Sequence, residues 1–228
     1  MITQNLTHLS GTELIDLINS KKISISDLIE STINQIKKIN SDTNAFVHLD
    51  ASGVLETAKI LDNKLKNNES IGPLCGIPIG IKDIFNTKDY PTEMGSPMWK
   101  NFTSGNDARV VHYIRMNDGI IVGKTETAEF AVHTLGKSFN PYDSTRSPGT
   151  SSSGSAVAVA TSMVPIALGT QTGGSIIRPA SFCGIYGFKP SFGLIPRTGM
   201  LKTTDTLDQV GFFARTPKDL ELFFNVIH

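Results

Sequence analysis

The sequence predicts an α/β fold with a largely buried sheet, and three observations carry that expectation. Residues 1–71 hold only two of the chain's twenty glycines, Gly11 and Gly53, and read as helices. From Gly72 onward, apolar runs of four or five residues alternate with Gly/Pro punctuation, the pattern of strands buried on both faces. Helical stretches lie between the runs, notably 107–116 and the small-residue segment 155–162, as in a sheet covered by helices.

Element by element, Ser10-Gly11-Thr12-Glu13 has capping-box spacing and is followed by Leu14, Leu17 and Ile18 on one helical face. Ser24 with Asp27 opens a second helix, whose stripe Leu28, Ile29, Thr32, Ile33 and Ile36 ends near Asn40. A third helix is expected from about Ala51 to Asn67, with Leu55, Ala58, Leu61, Asp62 and Leu65 in register. The candidate strands are 77–81, 119–122, 164–168 and 210–213. Thr216-Pro217 caps and starts a last helix, strongly apolar through Leu220, Leu222, Phe223, Phe224, Val226 and Ile227. Such a helix needs cover, either from the core or from sequence beyond His228.

Composition narrows the function. Lys+Arg and Asp+Glu both number 21, so the formal net charge is zero, and no basic run exceeds two residues. Docking on a nucleic acid or an anionic membrane through charge is therefore not expected. No signal peptide or run of 18 apolar residues is present, and the expectation is a cytoplasmic protein. Cys75 and Cys183, 108 positions apart, have neither disulfide-framework nor metal-site spacing and read as buried thiols.

Three segments could carry chemistry. Gly119 to Thr125 ends in Gly-Lys-Thr, but a phosphate loop requires glycine where Asp118 stands, so Lys124 reads as a strand-end residue. The segment from Ser144 to Ser155 packs eight hydroxyls into twelve residues and runs directly into apolar Ala156-Val157-Ala158-Val159-Ala160. That continuation places its serines at a helix N-terminus inside the fold rather than in a linker. In Gly169-Thr170-Gln171-Thr172-Gly173-Gly174-Ser175, two glycines before a serine let successive N–H groups converge on one spot. Such a spot could stabilise an oxyanion formed when Ser175 attacks a carbonyl. The serine needs a base. His8, His48, His112, His133 and His228 show no Gly-x-Ser-x-Gly partner. Lys82 ends the apolar run 77–81, where burial disfavours its charged form. The competing reading of Lys82 is a strand-end cation paired with Asp83.

Together these blocks resemble the amidase signature family. The match runs through Gly72 to Asp83, Gly123 to Phe130, the serine-rich segment, Gly169 to Ser175, Pro179 to Gly184 and Gly187-Phe188-Lys189-Pro190. The resemblance implies an α/β/α sandwich around a mixed sheet. It also implies a helical segment over 1–70, a signature core over 71–228, and a sheet incomplete in this chain. It further implies an amidohydrolase that cleaves a carboxylic amide through a serine acyl-enzyme, with no metal or organic cofactor. Ser175 would be the nucleophile, Lys82 the base, and Ser151 the bridging serine after a cis peptide bond. The N–H groups of Thr172, Gly173, Gly174 and Ser175 would form the oxyanion hole.

Departures from the family pattern define the alternatives. Thr150 stands where the family commonly has glycine, and Gln171 where many members have Asp. Family members continue well past the length of this chain, so a second chain could supply the remaining half. One alternative is the amidase subunit of a glutamine-dependent transamidation complex. Another is a catalytically silent amidase-like fragment that binds a partner, and anion binding through the Gly/Ser loops is the weakest.

Overall fold

Ser10 and Ser24 each accept the N–H of the third helical residue and receive its carboxylate in return, the reciprocal caps their spacing predicts. They open α1 (Gly11–Asn19) and α2 (Ile25–Thr43). The structure, a computed structural model, describes residues 5–228. α3 (Ala51–Lys66) follows, its N-terminus capped by Asp50. Asp62, on α3, reaches back to α2, accepting from Ile25 N–H at 2.7 Å and Ser26 N–H at 2.9 Å.

Between α2 and α3, Phe46–Leu49 forms β1, an edge strand within a stretch the sequence reads as helical. The remaining strands are β2 (Pro78–Lys82), β3 (Ile120–Thr125), β4 (Ile166–Gln171), β5 (Tyr186–Phe188) and β6 (Gln209–Ala214). They build one open, mixed sheet of six strands in the order β1-β3-β2-β4-β6-β5. β2 runs parallel to β3 and β4, while β1, β6 and β5 pair antiparallel to their neighbours. Every residue of β2, β3, β4 and β6 is buried, so both faces of the central sheet are covered, as the apolar runs predict.

The covering helices are α4 (Arg109–Met116), α5 (Ser153–Ala160), α6 (Ile177–Phe182) and α7 (Pro217–Ile227). α5 touches five of the strands, and its small residues allow that approach: a Cβ on Gly154 would sit 2.4 Å from the Ala45 carbonyl oxygen and from Glu126 N. α7 docks on the core with Phe223 and Ile227 fully buried. No helix among the described residues is long and apolar enough to cross a membrane.

The two ends of the chain are pinned together. Arg215 donates to the carbonyls of Thr7, Leu9, Val159 and Val164. Asp219, with no exposed surface, accepts Gly11 N–H and Thr12 N–H, each at 2.9 Å. Two orphan donors of α1 and its dipole thus meet a carboxylate. Asp219→Ala is expected to cost about 2–3 kcal/mol, since charge-assisted bonds to buried donors are lost, and a thermal melt measures it.

Candidate active site

β2 ends on Lys82, whose side chain has no exposed surface. Its amine has two hydroxyl partners at 2.9 Å each, Ser151 Oγ and Thr170 Oγ1. Asp83 does not pair with it. Instead Asp83 Oδ1 lies 3.0 Å from Lys124 Nζ in a buried ion pair, and Lys124 also donates to the Pro91 carbonyl and the Thr92 hydroxyl. Lys124 is thus a strand-end residue committed to structure, and no phosphate-cradling turn exists at 119–125. Burial pulls the Lys82 amine down to about 7, with Glu126 and Asp208 at a distance opposing that fall. Near pH 7 a large share of the amine is neutral, against roughly one in a thousand or fewer for a free lysine.

The serine-rich segment is ordered by its own hydroxyls, each sent to a different element. Ser152 Oγ donates to the Thr170 carbonyl and accepts Thr170 N–H. Ser153 donates to Glu126 Oε2 at 2.6 Å, and Ser155 to the Leu168 carbonyl at 2.7 Å. These bonds hold the segment against β3 and β4, and Ser151 stands at their head, 1% exposed. The peptide bond between Thr150 and Ser151 is cis. The left-handed backbone falls on Gly149, with φ 84° and Pro179 Cα 2.7 Å from any added Cβ, and not on Thr150. The Thr150 carbonyl accepts both Nε and Nη2 of Arg178, at 3.0 and 2.5 Å.

Past β4 the chain turns through Thr172-Gly173-Gly174-Ser175 and enters α6. Gln171 closes the turn, its Oε1 accepting Ile176 N–H at 2.9 Å and Ile177 N–H at 3.0 Å. An amide oxygen performs this task as a carboxylate would, which accounts for glutamine at a position where aspartate is common in the family. A Cβ on Gly173 would meet nothing within 4 Å, and one on Gly174 only Arg178 Cβ at 3.8 Å. No protein atom demands glycine there, so the open backbone serves something that approaches from the cavity. That cavity, of about 290 Å³, is lined by Thr172, Gly173, Gly174, Ser175, Arg178 and His133 among others.

The structure therefore joins Lys82 to Ser151 by a hydrogen bond and places Thr172, Gly173, Gly174 and Ser175 around one cavity. Sequence reasoning missed Thr170, Glu126 and Asp208. Thr170 lies within the Gly169 to Ser175 motif, yet nothing in the motif singles out its hydroxyl. Glu126 and Asp208 follow β3 and precede β6, and only tertiary structure brings their charges toward Lys82.

Comparison with known proteins decides the family: the family model described as Amidase matches residues 27–228. The chain belongs to the amidase family. Among curated relatives of this amidase, a glutamyl-tRNA(Gln) amidotransferase subunit from Clostridium botulinum (strain Alaska E43 / Type E3) is 40% identical over 98% of this chain and 47% of its own. Its counterpart from Legionella pneumophila (strain Corby) is 42% identical over 97% of this chain and 47% of its own. The amidase chain thus spans about half the length of the curated relatives it matches. Among solved structures, the peptide amidase of Stenotrophomonas maltophilia superposes with a TM-score of 0.91 at 28% identity, over 96% of this chain and 48% of that one. A vestigial protein complex connected with the origins of an s-triazine catabolic enzyme gives 0.93 at 30% identity, over 96% and 50%. The open mixed sheet described above is the fold these neighbours share.

Proposed function

We propose that this chain carries the catalytic half of an amide hydrolase working through a serine acyl-enzyme. The observation that carries the reading is the Lys82 amine, sealed from water, drawn down to about 7 and 2.9 Å from Ser151 Oγ. A neutral amine has two N–H bonds and one lone pair, so it can donate to Thr170 and accept from Ser151. In the proposed reaction the Ser175 proton passes to Ser151 Oγ while the Ser151 proton passes to Lys82. Ser175 Oγ bonds the amide carbon, and the carbonyl electron pair moves to an oxyanion held by N–H groups of Thr172, Gly173, Gly174 and Ser175. The ammonium then returns a proton through Ser151 to the amide nitrogen, the C–N bond breaks, and water releases the acyl group by the same relay.

The relatives at 40–42% identity favour a second, narrower reading, the amidase component of a glutamine-dependent transamidation complex. Comparing glutamine with simple aliphatic amides as substrates separates the two. Under either reading the rest of the pocket comes from sequence outside these residues, in a second chain or a continuation. Exposed Ile177, Phe182, Tyr186, Phe192 and Leu194, on and after α6 and β5, support a surface that such a half covers. Free, buried Cys75 and Cys183 fit a cytoplasmic setting.

A fluorophosphonate probe tests the reading, with the label mapped by mass spectrometry. Label is expected on Ser175. Because the base must be neutral, the labelling rate is expected to fall about tenfold per pH unit below about 7, where Lys82 protonates. A rate that stays flat down to about pH 5 would contradict Lys82 as the base.

A further inference from the structure

Just ahead of β6, Asp208 is 4% exposed and uses both carboxylate oxygens. Oδ1 accepts the Thr172 hydroxyl in a very short bond. Oδ2 accepts Thr203 N–H at 2.6 Å, Thr204 N–H at 2.8 Å and the Thr203 hydroxyl at 3.3 Å. Thr172, Thr203 and Thr204 all line the cavity that holds Ser175. The carboxylate is itself anchored: Asp208 N–H donates to the Thr204 carbonyl, the Asp208 carbonyl accepts Arg197 Nη1, and Gln209 pairs with Gln171 across the sheet.

We propose that Asp208 is a positioning residue, clamping Thr172 to the Thr203–Thr204 turn and so fixing where the Gly173–Ser175 loop presents its hydroxyl and N–H groups. The inference rests on the acyl-enzyme reading. Gly173 and Gly174 have no side chains to hold the loop and almost nothing packed against them, so its position depends on its ends. Gln171 holds the exit through Ile176 and Ile177, and Asp208 holds the entry through Thr172. Several charge-assisted bonds on one carboxylate suit that task.

Asp208 also acts on Lys82 through charge, opposing the fall of its proton affinity. The other charges around Lys82 are Glu126 beyond β3 and the Asp83–Lys124 pair on β2 and β3. Around Asp208 stands Arg197, itself shared with Asp205, which also pairs with Lys202. Asparagine at 208 keeps the volume and one acceptor oxygen but removes the charge.

The test follows the rate of fluorophosphonate labelling at Ser175 against pH in wild type, Asp208→Asn, Thr172→Val and Thr172→Ser. Asp208→Asn and Thr172→Val are expected to label about 10–100-fold more slowly, the scale of a misplaced reacting group, with Thr172→Ser within about threefold of wild type. The pH midpoint of Asp208→Asn is expected below that of wild type, because losing the carboxylate favours neutral Lys82. A purely structural Asp208 would slow labelling and leave the midpoint in place. Labelling of Thr172→Val within about twofold of wild type, or an unmoved midpoint in Asp208→Asn, overturns the proposal. Should Asp208→Asn fail to fold, Thr172→Val against Thr172→Ser decides it. A folded wild-type chain that takes no label overturns the acyl-enzyme reading instead, and this inference with it.

Discussion

Lys82→Met is expected to reduce labelling and turnover by about 10²–10⁴-fold, the range that general acid–base catalysis supplies, while the protein melts no lower than wild type. Methionine fills nearly the same length without an amine. The amine is buried completely and carries no carboxylate hydrogen bond, only Ser151 and Thr170 hydroxyls. Keeping it there opposes folding wherever the unfolded chain would hold the proton. The folded-state value, about 7, lies below the ordinary lysine value of 10.5. Between those two values the unfolded state binds more protons, so stability attributable to this group rises with pH across that window. Lys82→Met should flatten that part of the stability profile. Loss of activity together with a lower melting temperature at pH 7 would indicate a structural lysine.

Lys124→Met is expected to give the opposite result. Lys124 and Asp83 are both buried and 3.0 Å apart, burial pulling the amine down and pushing the carboxyl up. Removing the lysine strands Asp83 in the core, and breaking one side of a buried pair costs about 3–5 kcal/mol. For a chain of this size that lowers the melting temperature by roughly 6–20 °C. The pair also ties the 91–93 loop to the sheet, through the Pro91 carbonyl and the Thr92 hydroxyl on Lys124 and Glu93 N–H on Asp83. Asp83→Asn added to Lys124→Met is expected to recover part of the loss, since the stranded charge is then gone. Calorimetry of the single and double variants measures it. Two lysines on neighbouring strands, equally buried, are thus expected to separate chemistry from stability.

Much of this arrangement is legible in the sequence, and the illegible parts have physical reasons. β2, β3, β4 and β6 are buried on both faces, so they read as apolar runs, and α1 and α2 carry reciprocal caps. β1 and β5 have four and three residues at the sheet edges, too short to show a period. α6 contains Pro179, which reads as a breaker. In the structure it is the third residue of the helix, where a missing N–H breaks no intrahelical bond. The serines and Lys82 announce themselves through composition and motif. Asp208 does not, because Thr204 to Gln209 looks like any polar approach to a strand, and its partner Thr172 lies 36 positions away.

The clasp between the ends of the chain has a consequence for how the protein is made. The first two N–H groups of α1 wait for a carboxylate 207 and 208 positions later, and Arg215 bonds Thr7 and Leu9 across a similar span. A ribosome must therefore release nearly the whole of this stretch before its opening helix meets its final partners. Until then Ser10 alone guards that end, and closing so long a loop places this contact among the last and slowest to form.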